Sequence, residues 1–281
     1  MKIPKPMLFL ITKPDLDTKV KISSVSYINS LPFIYGLEND SNILNLIDLQ
    51  KDIPSVCADK LINHKVDIGL IPLVEISKIK NAKIISNYCI GSCGKVETVS
   101  LFSQVPVKEI KRVYLDFHSR TSVQLLKILF KHYWKMNPEY ILSENGFEEK
   151  ISANTAGLII GDRTFRYNSK FEYVFDLSEE WMNFTKLPFV FAVWVSFKDL
   201  PEEFLNKFNN ALAFGLSNKH LVISNYIKKN PDTKIDIENY LNTRINYYLD
   251  PEKKRGMDKF LSSVKEHITI YYHSICLSLI L

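Results

Sequence analysis

Short stretches in which apolar residues alternate or run together are followed, again and again, by apolar residues at helical spacing. Val20-Lys21-Ile22-Ser23-Ser24-Val25 alternates as a strand does. It leads into Ser26-Tyr27-Ile28-Asn29-Ser30-Leu31-Pro32, where Asn29 and Ser30 can cap a helix and Pro32 suits its first turn. Residues 43–47 read as a strand and 54–62 as a helix. The nearly continuous apolar run at 66–72 reads as a buried strand that opens a short helix at Pro72-Leu73-Val74-Glu75. Residues 83–103 favour strands, with Gly91 and Gly94 marking a turn. Val113, Leu115 and Phe117 alternate, whereas Val123, Leu126, Ile128, Leu129 and Tyr133 share a helix face, so a strand enters a helix that runs to about residue 135. Further strands are expected at 140–142, 156–160, 172–175 and 188–195, with a short helix at 177–184. From 201 onward the pattern is helical, in segments at 201–216, 221–227, 235–241 and from 251 to the end.

Strands alternating with helices over two-thirds of the chain predict an α/β protein with mostly parallel sheets flanked by helices. The strand-rich passage at 95–104 and the long strand at 188–196 read as two crossings between lobes. The expected division is therefore lobe I from 20–100 plus 190–281, including a helical C-terminal segment, and lobe II from 101–189. Residues 1–19, with Pro4, Pro6 and Pro14 and no sustained period, read as a flexible N-terminal extension. In open α/β sheets ligands sit beyond the carboxyl ends of strands, which is where four strand-to-helix junctions point, at 26–32, 72–75, 116–122 and 161–165.

The chain has 281 residues, 46% of them apolar, enough to fill two cores. A net charge of +5 with scattered basic residues is not a nucleic-acid footprint. Cys57, Cys89, Cys93 and Cys276 lack metal-ligand spacing and read as reduced thiols. No secretory signal is apparent, and the apolar end at 268–281 is too short to span a bilayer, so a cytoplasmic protein is expected.

At the junction after residue 115, Ser119, Arg120, Thr121 and Ser122 place three hydroxyls and a guanidinium where a helix leaves its first N–H groups unpartnered, a setting for a carboxylate. Ser and Thr are also ordinary N-caps, so capping and anion binding both stand as readings.

Taken together, Val25-Ser26-Tyr27-Ile28-Asn29-Ser30-Leu31-Pro32, Asp67-Ile68-Gly69-Leu70-Ile71-Pro72, Leu115-Asp116 with Ser119-Arg120-Thr121-Ser122, Gly161-Asp162-Arg163, Asp176-Leu177 with Glu180-Trp181, and Leu187-Pro188-Phe189-Val190-Phe191-Ala192-Val193-Trp194 resemble the chorismate dehydratase family of the futalosine route to menaquinone. The resemblance covers residues 20–262. It implies a two-lobed fold of the type 2 periplasmic-binding-protein kind, used in the cytoplasm as a lyase without cofactor or metal. The implied reaction converts chorismate to 3-[(1-carboxyvinyl)oxy]benzoate and water; a homodimer is allowed for. The other reading is a solute-binding module for a small aromatic or carboxylate ligand, since this fold is used mostly for binding.

Chorismate is a dianion, and its dehydration removes the ring hydroxyl and the hydrogen on the neighbouring ether-bearing carbon. Ser119, Arg120, Thr121 and Ser122 could clamp one carboxylate, Arg120 bidentately, while Asn29 and Ser30 hold the hydroxyl or the second carboxylate. Pro72, Ser100 and Gly161 count as further substrate contacts. Glu75, Asp162 and His118 are candidates for the base, each with a plain structural alternative, and the substrate's own carboxylate is the remaining one. Arg163 reads equally as a salt-bridge partner for Asp116. Tyr27, Trp181, Phe189, Phe191 and Trp194 are taken as core aromatics.

Overall fold

Strands sort into two sheets. The computed structural model describes residues 19–278, with side chains to residue 266. All but the last residue of the expected N-terminal extension, and the side chains of the apolar end, lie outside the described residues. The first sheet takes β1 (Val20–Val25), β2 (Ile47–Asp52), β3 (Ile68–Pro72), β4 (Lys83–Ser92), β10 (Phe189–Ser196) and β11 (Asn246–Tyr248), in the spatial order β2-β1-β3-β10-β4-β11. The second takes β5 (Val99–Ser103), β6 (Arg112–Leu115), β7 (Glu139–Leu142), β8 (Thr155–Ile160) and β9 (Tyr173–Asp176), in the order β7-β6-β8-β5-β9.

Each sheet contains a three-stranded parallel set, β2-β1-β3 and β7-β6-β8. Strands that enter from the other sheet pair antiparallel with it: β10 with β3 and β4, and β5 with β8 and β9. The sheets, expected to be mostly parallel, are therefore mixed instead, because a strand arriving by a crossing has no helical return to turn it parallel. All eight residues of β10 are buried, as a central strand covered on both faces demands.

Helices α1 (Leu31–Asn39), α2 (Pro54–Ile62), α5 (Glu202–Ser217) and α6 (Lys219–Lys229) cover the first sheet; α3 (Arg120–Ile128) and α4 (Leu177–Thr185) cover the second. A one-turn helix, α7 (Ile237–Asn239), leads through a π-helical turn (Tyr240–Arg244) to β11, and α8 (Pro251–Ser278) follows. Phe204, Phe208, Ala211, Leu212 and Gly215 form the buried stripe of α5. Gly36 and Gly215 let α1 and α5 meet backbone to backbone. A Cβ on Gly36 would lie 1.9 Å from the Ala211 carbonyl oxygen, and one on Gly215 would lie 1.9 Å from that of Pro32. Trp181 of α4, Phe189 of β10 and Phe260 of α8 pack edge to face with ring centroids 5.0–6.0 Å apart, fastening the last helix to the body.

Three expectations shift. The strand expected at 43–47 is a 3-10 turn (Leu44–Leu46) followed by β2, whose Asp48, Gln50, Lys51 and Asp52 suit an edge strand rather than a buried one. Gly91 lies inside β4, and the turn belongs to Gly94, with φ +99°. Residues 129–133 continue α3 as a π-helical turn.

Candidate active site

The carboxyl ends of β1 and β3 in one sheet and of β6 and β8 in the other face a common cleft. It is narrow, with a cavity volume of about 40 Å³. Val25, Tyr27 and Asn29 come from the β1 end, Pro72 from the β3 end, and Ser119 and Ser122 from the start of α3. Ile160 and Gly161 come from the β8 end, with Val96, Thr98 and Val99 on one crossing and Phe191 and Ala192 on the other. Two of the four junctions recognised in the sequence thus bring polar side chains to one place, and Pro72 and Gly161 represent the other two. No Asp, Glu, His, Lys or Arg is among the described residues that line it.

Asn29 sits in a 3-10 turn (Ile28–Ser30) that runs directly into α1. Its Oδ1 is buried without a hydrogen-bond partner among the described residues, and its backbone oxygen accepts from Tyr247 Oη at 2.8 Å. A buried amide oxygen left open at a cleft wall is a group awaiting a donor. Ser30, fully buried, does not reach the cleft: its hydroxyl donates to the Val25 and Tyr27 carbonyl oxygens and closes the turn.

At the start of α3 both sequence readings hold for one residue. Ser119 is the N-cap, its Oγ accepting the Ser122 N–H at 3.3 Å and lying 3.0 Å from Ser122 Oγ, and both side chains line the cleft. Arg120 and Thr121 turn away. Thr121 Oγ1 accepts the Val74 N–H at 3.3 Å. Arg120 is engaged with Asp59 at 2.9 Å and Glu75 at 3.0 Å. Successive helix residues point about 100° apart, so four polar residues in a row cannot all face one ligand. Arg120 and Glu75 border a separate hollow with Phe117 and Lys127. Glu75, 1% exposed, is held by Arg120 and by Lys78 at 2.9 Å. Ser100, also buried, borders a shallow depression with Glu97, Asn168 and Asp176 instead of the cleft.

Asp162 lies behind the cleft wall. Both of its carboxylate oxygens take the Ile28 N–H, each at 3.2 Å, and its outer side opens on a groove with Arg163 and Arg166. Burial pushes its carboxyl up to about 6, against the pull of that N–H. Arg163 pairs with Asp116 and with Glu148, the latter at 2.7 Å, as the alternative for Arg163 required. Asp116 also accepts the His118 and Ile160 N–H groups, tying the β6 and β8 ends together.

Tyr27, expected in the core, stands at the cleft with its hydroxyl 2.7 Å from His118 Nδ1. Burial raises the phenol well above its ordinary range, and burial followed by the Arg163 charge brings His118 down to about 4. A protonated phenol beside a neutral imidazole is an O–H to Nδ1 hydrogen bond, which leaves the ring proton on Nε2. Phe191 also lines the cleft, while Trp181, Phe189 and Trp194 are core as expected. Reasoning from sequence also missed Tyr240 and Asp176. Tyr240 Oη meets the cleft residue Thr98 at 2.8 Å, and the Asp176 carboxylate caps α4 while accepting the Val96 and Glu97 N–H groups of the crossing. An Asp before a helix signals the cap; nothing local signals its second pair of donors. Among the described residues no group of three His, Cys, Asp or Glu is placed to hold a metal ion, and no helix is long and apolar enough to cross a membrane.

Two α/β lobes around a cleft at the strand ends define the class of periplasmic-binding-protein-like folds. A structure from Archaeoglobus fulgidus superposes with TM-score 0.69 at 16% identity, covering 89% of this chain and 97% of that one. A Candida albicans protein described as having the generic periplasmic binding protein fold gives 0.63 at 12% identity, covering 88% and 90%. Residues 20–266 match the menaquinone biosynthesis family, and the chain belongs to it. Relatives named chorismate dehydratase, from Thermus thermophilus and Campylobacter jejuni, are each 24% identical. They cover 83% and 86% of this chain and 95% and 96% of their own length.

Proposed function

We propose that this protein is a hydro-lyase that converts chorismate to 3-[(1-carboxyvinyl)oxy]benzoate and water, in menaquinone formation by the futalosine route. The observation that carries the reading is a mostly apolar, uncharged cleft with the open Asn29 amide oxygen on one side and the Ser119 and Ser122 hydroxyls at a helix start on the other. Apolar residues such as Val25, Ile90, Val99 and Phe191 match the ring. Ser119, Ser122 and the positive end of α3 take one carboxylate. Asn29 Oδ1 accepts from the ring hydroxyl and orients the C–O bond that breaks. With Glu75 and Asp162 both outside the cleft lining, the proton on the ether-bearing carbon goes to the substrate's own enolpyruvyl carboxylate. The electrons of that C–H bond form the new ring double bond, the C–O bond breaks, and the departing hydroxide takes the proton as water. Aromatisation drives the step; the protein supplies orientation.

In this reading the lobes, 20–100 plus 190–281 and 101–189, close over the substrate. The protein is cytoplasmic, binds no nucleic acid and uses no cofactor; a homodimer is compatible with it and light scattering decides. The test is to add chorismate to the purified protein and follow loss of its diene absorbance, with the product identified by chromatography and mass. Turnover supports the lyase. Saturable binding of chorismate without turnover would replace it by a solute-binding module.

A further inference from the structure

The reading above needs Asn29 in a fixed orientation, and the turn that carries it is gripped from the facing lobe at three neighbouring points. Asp162 takes the Ile28 N–H through both carboxylate oxygens at 3.2 Å. His118 Nδ1 holds the Tyr27 hydroxyl at 2.7 Å. The Tyr27 ring lies against Gly161, where a Cβ would fall 2.9 Å from the ring carbons. From its own lobe the turn has the Ser30 hydroxyl, Tyr247 through the Asn29 carbonyl, and Tyr240, which hydrogen-bonds the Asn29 side chain. The first N–H groups of a helix have no partner within it, and here the one at Ile28 is satisfied from another part of the chain, 134 residues on.

We propose that Asp162 is a positioning residue for Asn29: its carboxylate fixes the Tyr27-Ile28-Asn29 turn from the opposite lobe, so that Asn29 takes its working orientation only when the lobes are together. Two facts separate this role from that of a base. The carboxylate is absent from the cleft lining, and both of its oxygens are directed at a backbone N–H. The inference deepens the dehydratase reading and rests on it for its kinetic consequence, though not for the contact itself.

The test compares Asp162→Asn with Asp162→Ala in the full chain. Asn keeps an acceptor oxygen of the same shape for the Ile28 N–H and abolishes basicity; Ala removes both. With chorismate as substrate, Asp162→Ala is expected to lose about 100-fold in kcat with KM nearly unchanged, the scale of a misplaced group, while Asp162→Asn stays within about fivefold of wild type. Exchange of the Ile28 amide, followed by NMR, is measured on the same proteins and needs no turnover: protection should fall at least about tenfold in the Ala variant and persist in the Asn variant. Equal loss of kcat in both variants, with thermal unfolding unchanged, would make the charge itself essential and overturn the proposal. Unchanged Ile28 exchange in Asp162→Ala would overturn it even if the protein left chorismate untouched, an outcome that would separately remove the dehydratase reading.

Discussion

The turn after β1 and the turn after β6 start from the same materials, a buried strand running into hydroxyls and a helix, yet they use their polar groups in opposite ways. After β6 nearly every group is answered within the protein: Asp116 by two backbone N–H groups and Arg163, Ser119 by Ser122, Thr121 by Val74, and Arg120 by Asp59 and Glu75. After β1 the Asn29 amide oxygen is left open at the cleft. A cluster rich in chemistry can thus be mostly architecture, and one side chain on an otherwise plain turn can hold the unspent hydrogen-bonding capacity.

This contrast can be broken. Asn29→Ala should lower turnover of chorismate by about 10²- to 10³-fold, as removal of a single oriented polar group does, with little change in thermal stability. A loss of tenfold or less would put the working group elsewhere. Gly161→Ala forces a side chain into the left-handed region at φ +73° and against Tyr27, and should cost about 1–3 kcal/mol, seen as a drop of several degrees in Tm. Arg120→Ala sharpens the comparison. If its guanidinium serves the Asp59 and Glu75 contacts, KM for chorismate should move by no more than about threefold, whereas a carboxylate clamp would raise it about a hundredfold. The smallest effect concerns acid stability. His118 titrates near 4 in the folded protein and near 6.5 when unfolded, so between those values the unfolded chain binds more protons. His118 therefore contributes stability that is lost as pH drops from 6.5 to 4, opposed by the carboxyls of Asp116, Asp162 and Asp176, which burial raises to about 6, and His118→Asn should remove its share of the slope in denaturant titrations. An unchanged slope would mean that the imidazole is not held neutral by its surroundings.

Much of the architecture was legible because periodicity reports burial. The runs at 66–72 and 188–195 read as strands covered on both faces, and β3 and β10 are that. β2 and the three-residue β11 were misplaced or missed because edge strands keep polar residues and carry little pattern. The cleft was legible as a set of strand ends, which brought Asn29, Pro72, Ser119, Ser122 and Gly161 together. Direction was not legible. Whether Arg120 faces a ligand or Glu75 depends on residues 45 and 61 positions away, and the partnership of Tyr27 with His118 spans 91. Such pairings are made by folding, and no local spacing announces them.

The glycine contacts between α1 and α5 bear on the far end of α1 as well. That helix begins where the Asn29 turn ends, so its height above the sheet sets where the amide stands. With carbonyl oxygens occupying the space a methyl group would need, neither Gly36 nor Gly215 can grow without lifting α1. A change remote from any ligand would then register first as a misaimed amide, and a survey of inactive variants should find these two positions among those that abolish catalysis without touching the cleft.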